Sequence, residues 1–241
     1  MKELQRIRDL VDWYREIPSK SASSYKVWDE LWESRDPRLI PIENDGTSQL
    51  AIYGIEKYLN SGVGFNPRTM IEVGCGPASR SIQLAKKYQL ALCLLDKSHV
   101  SLFHQARKLA DKIGYNNQTG YVQGDMLRYP FPDDSFDITF AYGPHDHFFS
   151  SERQTAFNEM QRITAKNGIG IVIVPSQLNP FWSLEMIQKV WKDSWEFGPT
   201  KFFTPHELVK KMKTAGYKNV ELFGASFFTS WLRLLPRDKQ V

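Results

Sequence analysis

The stretch MIEVGCGPASRS, Met70 to Ser81, is the part of the chain that decides the fold. An apolar run ends in the acid Glu72, and the chain then passes through Gly74 and Gly76 into a possible helix. A strand, a glycine turn and a helix in this order are typical of α/β sheets, where the turn lets a ligand lie against bare backbone. A Gly-x-Gly turn alone is weak support for a ligand site.

Short apolar runs alternate with helical segments on both sides of this turn. The strand candidates are 69–74, 91–96, 120–125, 136–143 and 169–175, and the helix candidates between them are 78–89, 98–113 and 151–165. This alternation predicts parallel βαβ units with helices on both faces of the sheet. Active sites of such sheets lie beyond the carboxyl ends of the strands, so the residues at those ends are the site candidates.

The C-terminal part of the chain predicts one more helix and a hairpin. Thr204 and Glu207 are placed to cap a helix that Gly216 would end. The stretches VELFG, 220–224, and ASFFTSWLRLL, 225–235, then predict two antiparallel strands.

Length, composition and charge indicate one globular α/β domain with additions. The chain has 241 residues, of which 41% are hydrophobic and 24% charged. No apolar run approaches the ~20 residues that span a membrane, and the charged N-terminus does not read as a secretory signal. Two cysteines in predicted core elements favour a cytoplasmic location. The net charge of +4 comes from scattered basic residues, so we do not expect a nucleic-acid partner. The oligomeric state is not predicted.

Asp96 strengthens the case for a ligand at the glycine turn. It ends the second predicted strand, 20 positions after Gly76, where an acid binds the hydroxyls of an adenosine ribose. A dinucleotide-binding turn needs a third glycine where Ser79 stands, and Pro77 removes a backbone N–H that a pyrophosphate would use. We therefore expect an adenosine-bearing cofactor other than a dinucleotide.

Four blocks together make the chain resemble the class I S-adenosylmethionine-dependent methyltransferases, in particular the type-11-like group. They are IEVGCGPA, LLDKS, GDMLRYPFPDDSFDITFAYG and EMQRITAKNGIGIVIVP. The resemblance implies a doubly wound, Rossmann-like sheet of seven mostly parallel strands in the order 3-2-1-4-5-7-6, with an antiparallel C-terminal hairpin. It also implies S-adenosyl-L-methionine as cofactor and S-adenosyl-L-homocysteine as product.

The resemblance further implies a cofactor site at the carboxyl ends of the first four strands. Its residues would be Glu72, Gly74, Gly76, Ala78, Asp96, Lys97, Asp125, Met126, Tyr142 and Gly143. Glu72 would lie near the methionine ammonium, Asp96 would bind the ribose hydroxyls, and Asp125 would accept from the adenine amino group. Ala78 stands where the family has its third glycine. Two plainer roles stay open: Asp125 as the cap of a turn, and Glu72 as a solvated strand end.

Two histidines follow the fourth predicted strand, where the transferable methyl group would lie. His145 and His147 are the candidates for a catalytic base that takes a proton from the acceptor, and they could instead only line its pocket. A His-x-His pair could also bind a metal ion. No third ligand with recognisable spacing appears beyond Asp146, so we expect no metal.

Aromatic residues outside the alternating region predict a cap. We divide the chain into an N-terminal helical cap, 1–45, and a methyltransferase domain, 46–241, whose insert 176–203 would contribute to the acceptor pocket. The pocket candidates are Tyr25, Trp28, His145, His147 and Trp182. The same aromatic residues could instead form the core of helices packed on the flank of the domain.

These observations predict methyl transfer to the oxygen or nitrogen of a small molecule. Two alternatives remain: a methyltransferase that acts on RNA or protein, and a protein that binds S-adenosylmethionine without transferase activity. An enclosed aromatic pocket favours the first prediction, and an open basic groove favours RNA or protein.

Overall fold

The centre of the protein is a five-stranded parallel sheet. The computed structural model describes residues 25–35, 41–42, 45–61, 64–192 and 194–224. The strands are β1 (Thr69–Val73), β2 (Ala91–Asp96), β3 (Thr119–Gln123), β4 (Phe136–Tyr142) and β5 (Thr164–Ile173). Their order is β3-β2-β1-β4-β5, and every neighbouring pair is parallel. The five predicted strands of the alternating region are thereby confirmed.

Seven helices accompany the sheet in the described ranges. They are α1 (Tyr25–Glu33), α2 (Gly46–Leu59), α3 (Ser79–Tyr88), α4 (Arg107–Ile113), α5 (Ser150–Ile163), α6 (Pro180–Trp191) and α7 (Pro205–Ala215). A π-helical segment, Val100–Ala106, leads directly into α4, and a short 3₁₀ turn, Pro144–His147, follows β4. None of the helices described is long and apolar enough to cross a membrane.

Successive side chains of β1 are buried on opposite faces of the sheet. Met70 belongs to a core cluster that includes Ile55 of α2 and Ile82 of α3. Its neighbour Ile71 belongs to a second cluster, which includes Ile163 of α5. Because successive side chains of a strand point to opposite faces, a continuous apolar strand requires helices on both sides. The Rossmann-like, doubly wound arrangement is thus confirmed.

The C-terminal helix forms as predicted. The first strand of the predicted hairpin does not form in the described residues. Thr204 Oγ1 accepts from the Glu207 backbone N–H at 3.1 Å, and Gly216 ends α7 with a φ of +115°. The stretch 220–224, predicted as a strand, forms no strand there, and the described residues hold five strands rather than seven. A strand exists only through pairing, and the predicted partner, 225–235, lies outside the described residues.

Candidate active site

The glycine turn after β1 is held against the end of β2. Gly74 and Gly76 have φ values of +62° and +51°, in the left-handed region that favours glycine. The Cys75 N–H donates to the Leu95 carbonyl at 3.1 Å, and the Gly76 N–H donates to Asp96 Oδ2 at 2.8 Å. The turn and the acid that follows β2 therefore form one rigid unit.

Asp96 is a buried carboxylate surrounded by backbone donors. Its Oδ1 accepts from the Ser98 N–H at 2.8 Å, while Oδ2 accepts from Gly76. Burial raises the pKa of Asp96, and the hydrogen bonds from Ser98 and Gly76 act against that rise. Hydrogen bonds from the Ser101 side chain and the Lys97 backbone also lower the pKa, so several protein donors surround this carboxylate at the edge of the cleft.

A cleft of about 1680 Å³ opens beside the turn, and its lining extends from the carboxyl ends of β1 to β4 along the whole of β5 to α7. Eight of the ten predicted cofactor residues line it: Gly74, Gly76, Asp96, Lys97, Asp125, Met126, Tyr142 and Gly143. The structure therefore brings together residues from the loops after four different strands.

Glu72 and Ala78 lie behind the cleft instead of lining it. The Glu72 carboxyl accepts from the Ser81 hydroxyl, and burial raises its pKa to about 8, although Ser81 and the nearby Arg80 oppose the rise. The solvated strand end considered for Glu72 is therefore wrong, because the residue is only 3% exposed. Ala78 has a φ of +55°, the left-handed conformation suited to the glycine that the family has there.

Lys97 and Asp125 form an ion pair at the β2–β3 end of the cleft. Lys97 Nζ lies 3.0 Å from Asp125 Oδ2, and Asp125 Oδ1 accepts from the Leu127 N–H at 2.9 Å. Asp125 thus does cap a turn, the plainer of its two roles, while its carboxylate also lines the cleft.

Helix α1 lies across the glycine turn. The Trp32 ring packs on Gly76, where a Cβ atom would come within 2.9 Å of Trp32 Cζ2. Asp29 Oδ1 accepts from the Ser98 hydroxyl at 2.5 Å, and the Gln105 amide donates to the Trp32 carbonyl. Sequence patterns did not single out Asp29 or Gln105, because their role arises from contacts about 70 residues away.

The turn after β4 places His147 in the cleft. Pro144 opens this turn and packs against Gly74, where a Cβ atom would lie 2.5 Å from Pro144 Cβ. His147 Nδ1 is 3.1 Å from the Pro199 carbonyl, and its ring meets Trp28 edge to face with centroids 4.8 Å apart. A carbonyl can only accept, so Nδ1 carries the proton in neutral His147 and Nε2 keeps its lone pair.

His145 lies outside the cleft. It is fully buried, with its ring centroid 4.4 Å from that of Phe157. Burial and the nearby Arg153 charge lower its pKa to about 3, and neither ring nitrogen has a hydrogen-bond partner among the residues described. A 3₁₀ turn has three residues per turn, so residues two apart point in different directions. The structure therefore separates the two candidate histidines.

Aromatic side chains also line the cleft. They are Trp28, Trp32, Phe148, Trp182, Trp195, Phe197 and Phe202. Trp182 of α6 meets Phe202 edge to face with centroids 5.9 Å apart. The side chain of Tyr25, another pocket candidate, lies outside the described residues. Trp191, one of the aromatic residues of the insert that could have formed a helix core, is 52% exposed.

Part of the sequence matches a known protein family. The sequence family described as "Methyltransferase domain" matches residues 70–168, which include the glycine turn, Asp96 and the turn after β4. The chain is therefore similar to methyltransferase domains over 99 of its 241 residues.

Relatives of this methyltransferase domain include enzymes named for small-molecule acceptors. The chain is 30% identical over 120 residues to a sterol 24-C-methyltransferase of Gibberella zeae, which covers 49% of this chain and 31% of that protein. It is also 30% identical over 108 residues to ajmaline N-methyltransferase of Rauvolfia serpentina, covering 45% and 36%. The chain therefore spans about one third of the length of these curated relatives.

A solved structure extends the likeness to most of the fold. Magnesium protoporphyrin IX methyltransferase of Synechocystis, solved with S-adenosylhomocysteine, superposes with a TM-score of 0.55 at 14% identity. The superposition covers 83% of this chain and 87% of that one. At this identity the likeness concerns the fold.

One residue of the methyltransferase cleft had no sequence signal beyond its place after the glycine turn. Arg80, in the first turn of α3, lines the cleft with its guanidinium over the Tyr142 ring, 4.0 Å from the centroid. Its Nε donates to Asp45 Oδ2 at 2.7 Å. In the described part of the chain, no group of three or more His, Cys, Asp or Glu side chains is placed to hold a metal ion.

Proposed function

We propose that the protein transfers the methyl group of S-adenosylmethionine to an oxygen or nitrogen atom of a small molecule and releases S-adenosylhomocysteine. The observation that carries the proposal is that His147 and several aromatic side chains line the same cleft as eight of the predicted cofactor residues. The aromatic walls favour a small acceptor over RNA or protein, since ligand pockets are mostly apolar with a few polar groups.

The cofactor roles follow from the positions of the acids. Asp96 would accept the ribose hydroxyls with the lone pairs that Gly76 and Ser98 leave free. Asp125 would accept from the adenine amino group, with Lys97 beside it. The bare glycine turn would underlie the methionine portion, with Glu72 behind it on the ammonium side.

His147 is the proposed catalytic base. Methyl transfer to a hydroxyl or ammonium group requires removal of a proton, and the enzyme otherwise aligns the two reactants. The Pro199 carbonyl holds the Nδ1–H tautomer, which leaves Nε2 to take that proton. The burial of His145 against Phe157 favours His147 over it for this role.

The division of the chain stays part of the proposal. Residues 1–45 would form a cap over the cofactor, and the packing of Trp32 of α1 on Gly76 supports this. Tyr25, Trp28 and Trp182 would contribute to the acceptor pocket together with the insert 176–203. Residues 46–241 would form the methyltransferase domain, and two further strands would complete the order 3-2-1-4-5-7-6.

Transfer of a labelled methyl group into a metabolite extract, followed by mass identification of the product, tests the proposal. We expect a labelled small molecule with wild-type protein. His147→Ala should lower kcat by roughly 10²–10⁴-fold and leave the affinity for S-adenosylhomocysteine nearly unchanged. His206→Ala is the matched control, because His206 is exposed on α7.

Two results would count against the proposal. Wild-type protein that binds S-adenosylhomocysteine but labels nothing would favour a binding protein without transferase activity. Full turnover by His147→Ala would show that the base lies elsewhere.

A further inference from the structure

Arg80 presents a guanidinium that the protein has fixed in place. Its Nε donates to Asp45, and its plane lies over the Tyr142 ring. Asp45 is itself held at the start of α2, where it accepts from the Ser48 N–H at 3.1 Å and the Thr47 hydroxyl at 2.8 Å. Burial opposes ionisation of Asp45, but the hydrogen bonds from Arg80, Ser48 and Thr47 outweigh it and lower its pKa to about 2. Arg80 is thus anchored on one edge and one face.

The other edge of the guanidinium is unused by the residues that the structure describes. Of the five N–H donors of arginine, the one on Nε is taken, and Nη1 and Nη2 make no hydrogen bond to described residues. The side chain is 18% exposed and lines the cleft. Two parallel N–H groups on a fixed plane match the two oxygens of a carboxylate, which arginine binds in a bidentate manner.

The position of Arg80 restricts which ligand atoms can reach it. Tyr142 is the last residue of β4, and the turn that carries His147 begins two residues later. Arg80 is the second residue of α3 and stands four positions after Gly76. The free edge therefore lies where the methionine portion of the cofactor and the acceptor would meet. Glu72 interacts with Arg80 electrostatically, and its Oε2 accepts from the Ser81 hydroxyl.

We infer that Arg80 binds a ligand carboxylate at the methionine end of the cleft through its Nη1 and Nη2 groups. The carboxylate belongs either to the methionine portion of the cofactor or to the acceptor. The inference rests on the proposed function for the direction in which the cofactor lies.

Calorimetry with two cofactor-derived probes distinguishes the sources. S-adenosylhomocysteine carries the amino-acid carboxylate, and 5′-methylthioadenosine lacks it. If the cofactor supplies the carboxylate, Arg80→Gln should bind S-adenosylhomocysteine about 10- to 100-fold more weakly and 5′-methylthioadenosine as tightly as wild type does. Arg80→Lys keeps the charge and loses the fork, so it should recover only part of the affinity. Lys57→Gln is the control, because Lys57 lines the cleft but pairs with Glu221.

If the acceptor supplies the carboxylate, both probes should bind Arg80→Gln as they bind wild type. Labelled products that carry a carboxyl or ester group should then be lost from the metabolite extract, while other products remain. Equal weakening of both probes, or no change in either binding or products, overturns the inference. Failure of the proposed function is read separately in the wild-type protein, which would then bind neither probe or transfer no methyl group.

Discussion

Replacing Gly74 with alanine tests the contact between the glycine turn and the turn that carries His147. The new Cβ atom would lie 2.5 Å from Pro144 Cβ, 2.9 Å from Pro144 Cγ and 3.0 Å from Met126 Sδ. The proline ring cannot rotate away, so the backbone of one turn must shift. Overpacking of this kind costs about 1–3 kcal/mol. The left-handed backbone of Gly74 adds about 1–2 kcal/mol for any residue with a Cβ atom.

Gly143→Ala separates these two costs. Gly143 also has a left-handed backbone, with a φ of +86°, but an added Cβ atom would have no atom within 4 Å. This variant should therefore lose only the conformational part, about 1–2 kcal/mol. The difference between the two variants, about 1–3 kcal/mol, then measures the contact with Pro144 and Met126. For a protein of this size it corresponds to roughly 2–12 °C in Tm.

Urea unfolding of both variants measures the difference between their free energies of unfolding. Calorimetry measures their binding of S-adenosylhomocysteine. Gly74→Ala should bind the ligand more weakly than Gly143→Ala, because displacement of Pro144 moves the wall of the cleft. Equal losses of stability in the two variants would refute the close packing of Pro144 on Gly74, and with it the coupling of the two turns.

Three further predictions concern the acids. Asp96→Asn should weaken S-adenosylhomocysteine binding by about 10-fold or more in calorimetry, since it removes a charged acceptor of the Gly76 N–H; unchanged affinity would contradict the role of Asp96. The pKa of Asp45 is lowered to about 2, so its stabilising effect is present above about pH 4 and is lost as the pH falls towards 2. Asp45→Asn should flatten that acid limb in urea unfolding, and an unaltered limb argues against the Arg80 pair. The pKa of Glu72 is raised to about 8, so the folded protein holds a proton that the unfolded chain releases near pH 4.5. Stability should fall as the pH rises from about 5 to 8, and Glu72→Gln should reduce the fall; a parallel curve would disprove the burial effect.

The sheet was predictable because its strands are defined by their own residues. Runs such as those of β1 and β2 are apolar enough to be buried on both faces, and they are separated by helical segments of ordinary length. The expected stretch 91–96 coincides with β2. The expected helix 98–113 instead begins as a π-helical segment, Val100–Ala106, where Asp29 of α1 accepts from the Val100 N–H. No local pattern reports such a contact.

The site was only partly predictable for the same reason. Sequence spacing treated His145 and His147 alike, because a pair two residues apart shares one face in a strand but not in a 3₁₀ turn. Arg80 gave no signal, since its place in the cleft depends on Asp45 and Tyr142, which lie 35 and 62 positions away. Residues of the cleft such as Gly76 and Asp96 could be located from the sequence, because one lies in a glycine turn and the other ends a strand.

Two packing contacts explain how a base on a loop can be aligned with a donor on the sheet. Pro144 joins the His147 turn to Gly74 at the carboxyl end of β1, and the Pro199 carbonyl fixes the imidazole from the segment after α6. Buried Arg153 of α5 joins both supports, because it donates to the Phe148 carbonyl at 2.8 Å and to the Lys201 carbonyl at 2.5 Å. An in-line methyl transfer depends on alignment to within a fraction of an ångström. The proposed base, His147, is thus held by Pro144, by the Pro199 carbonyl and by Arg153 of α5, all of which belong to the protein and not to the acceptor.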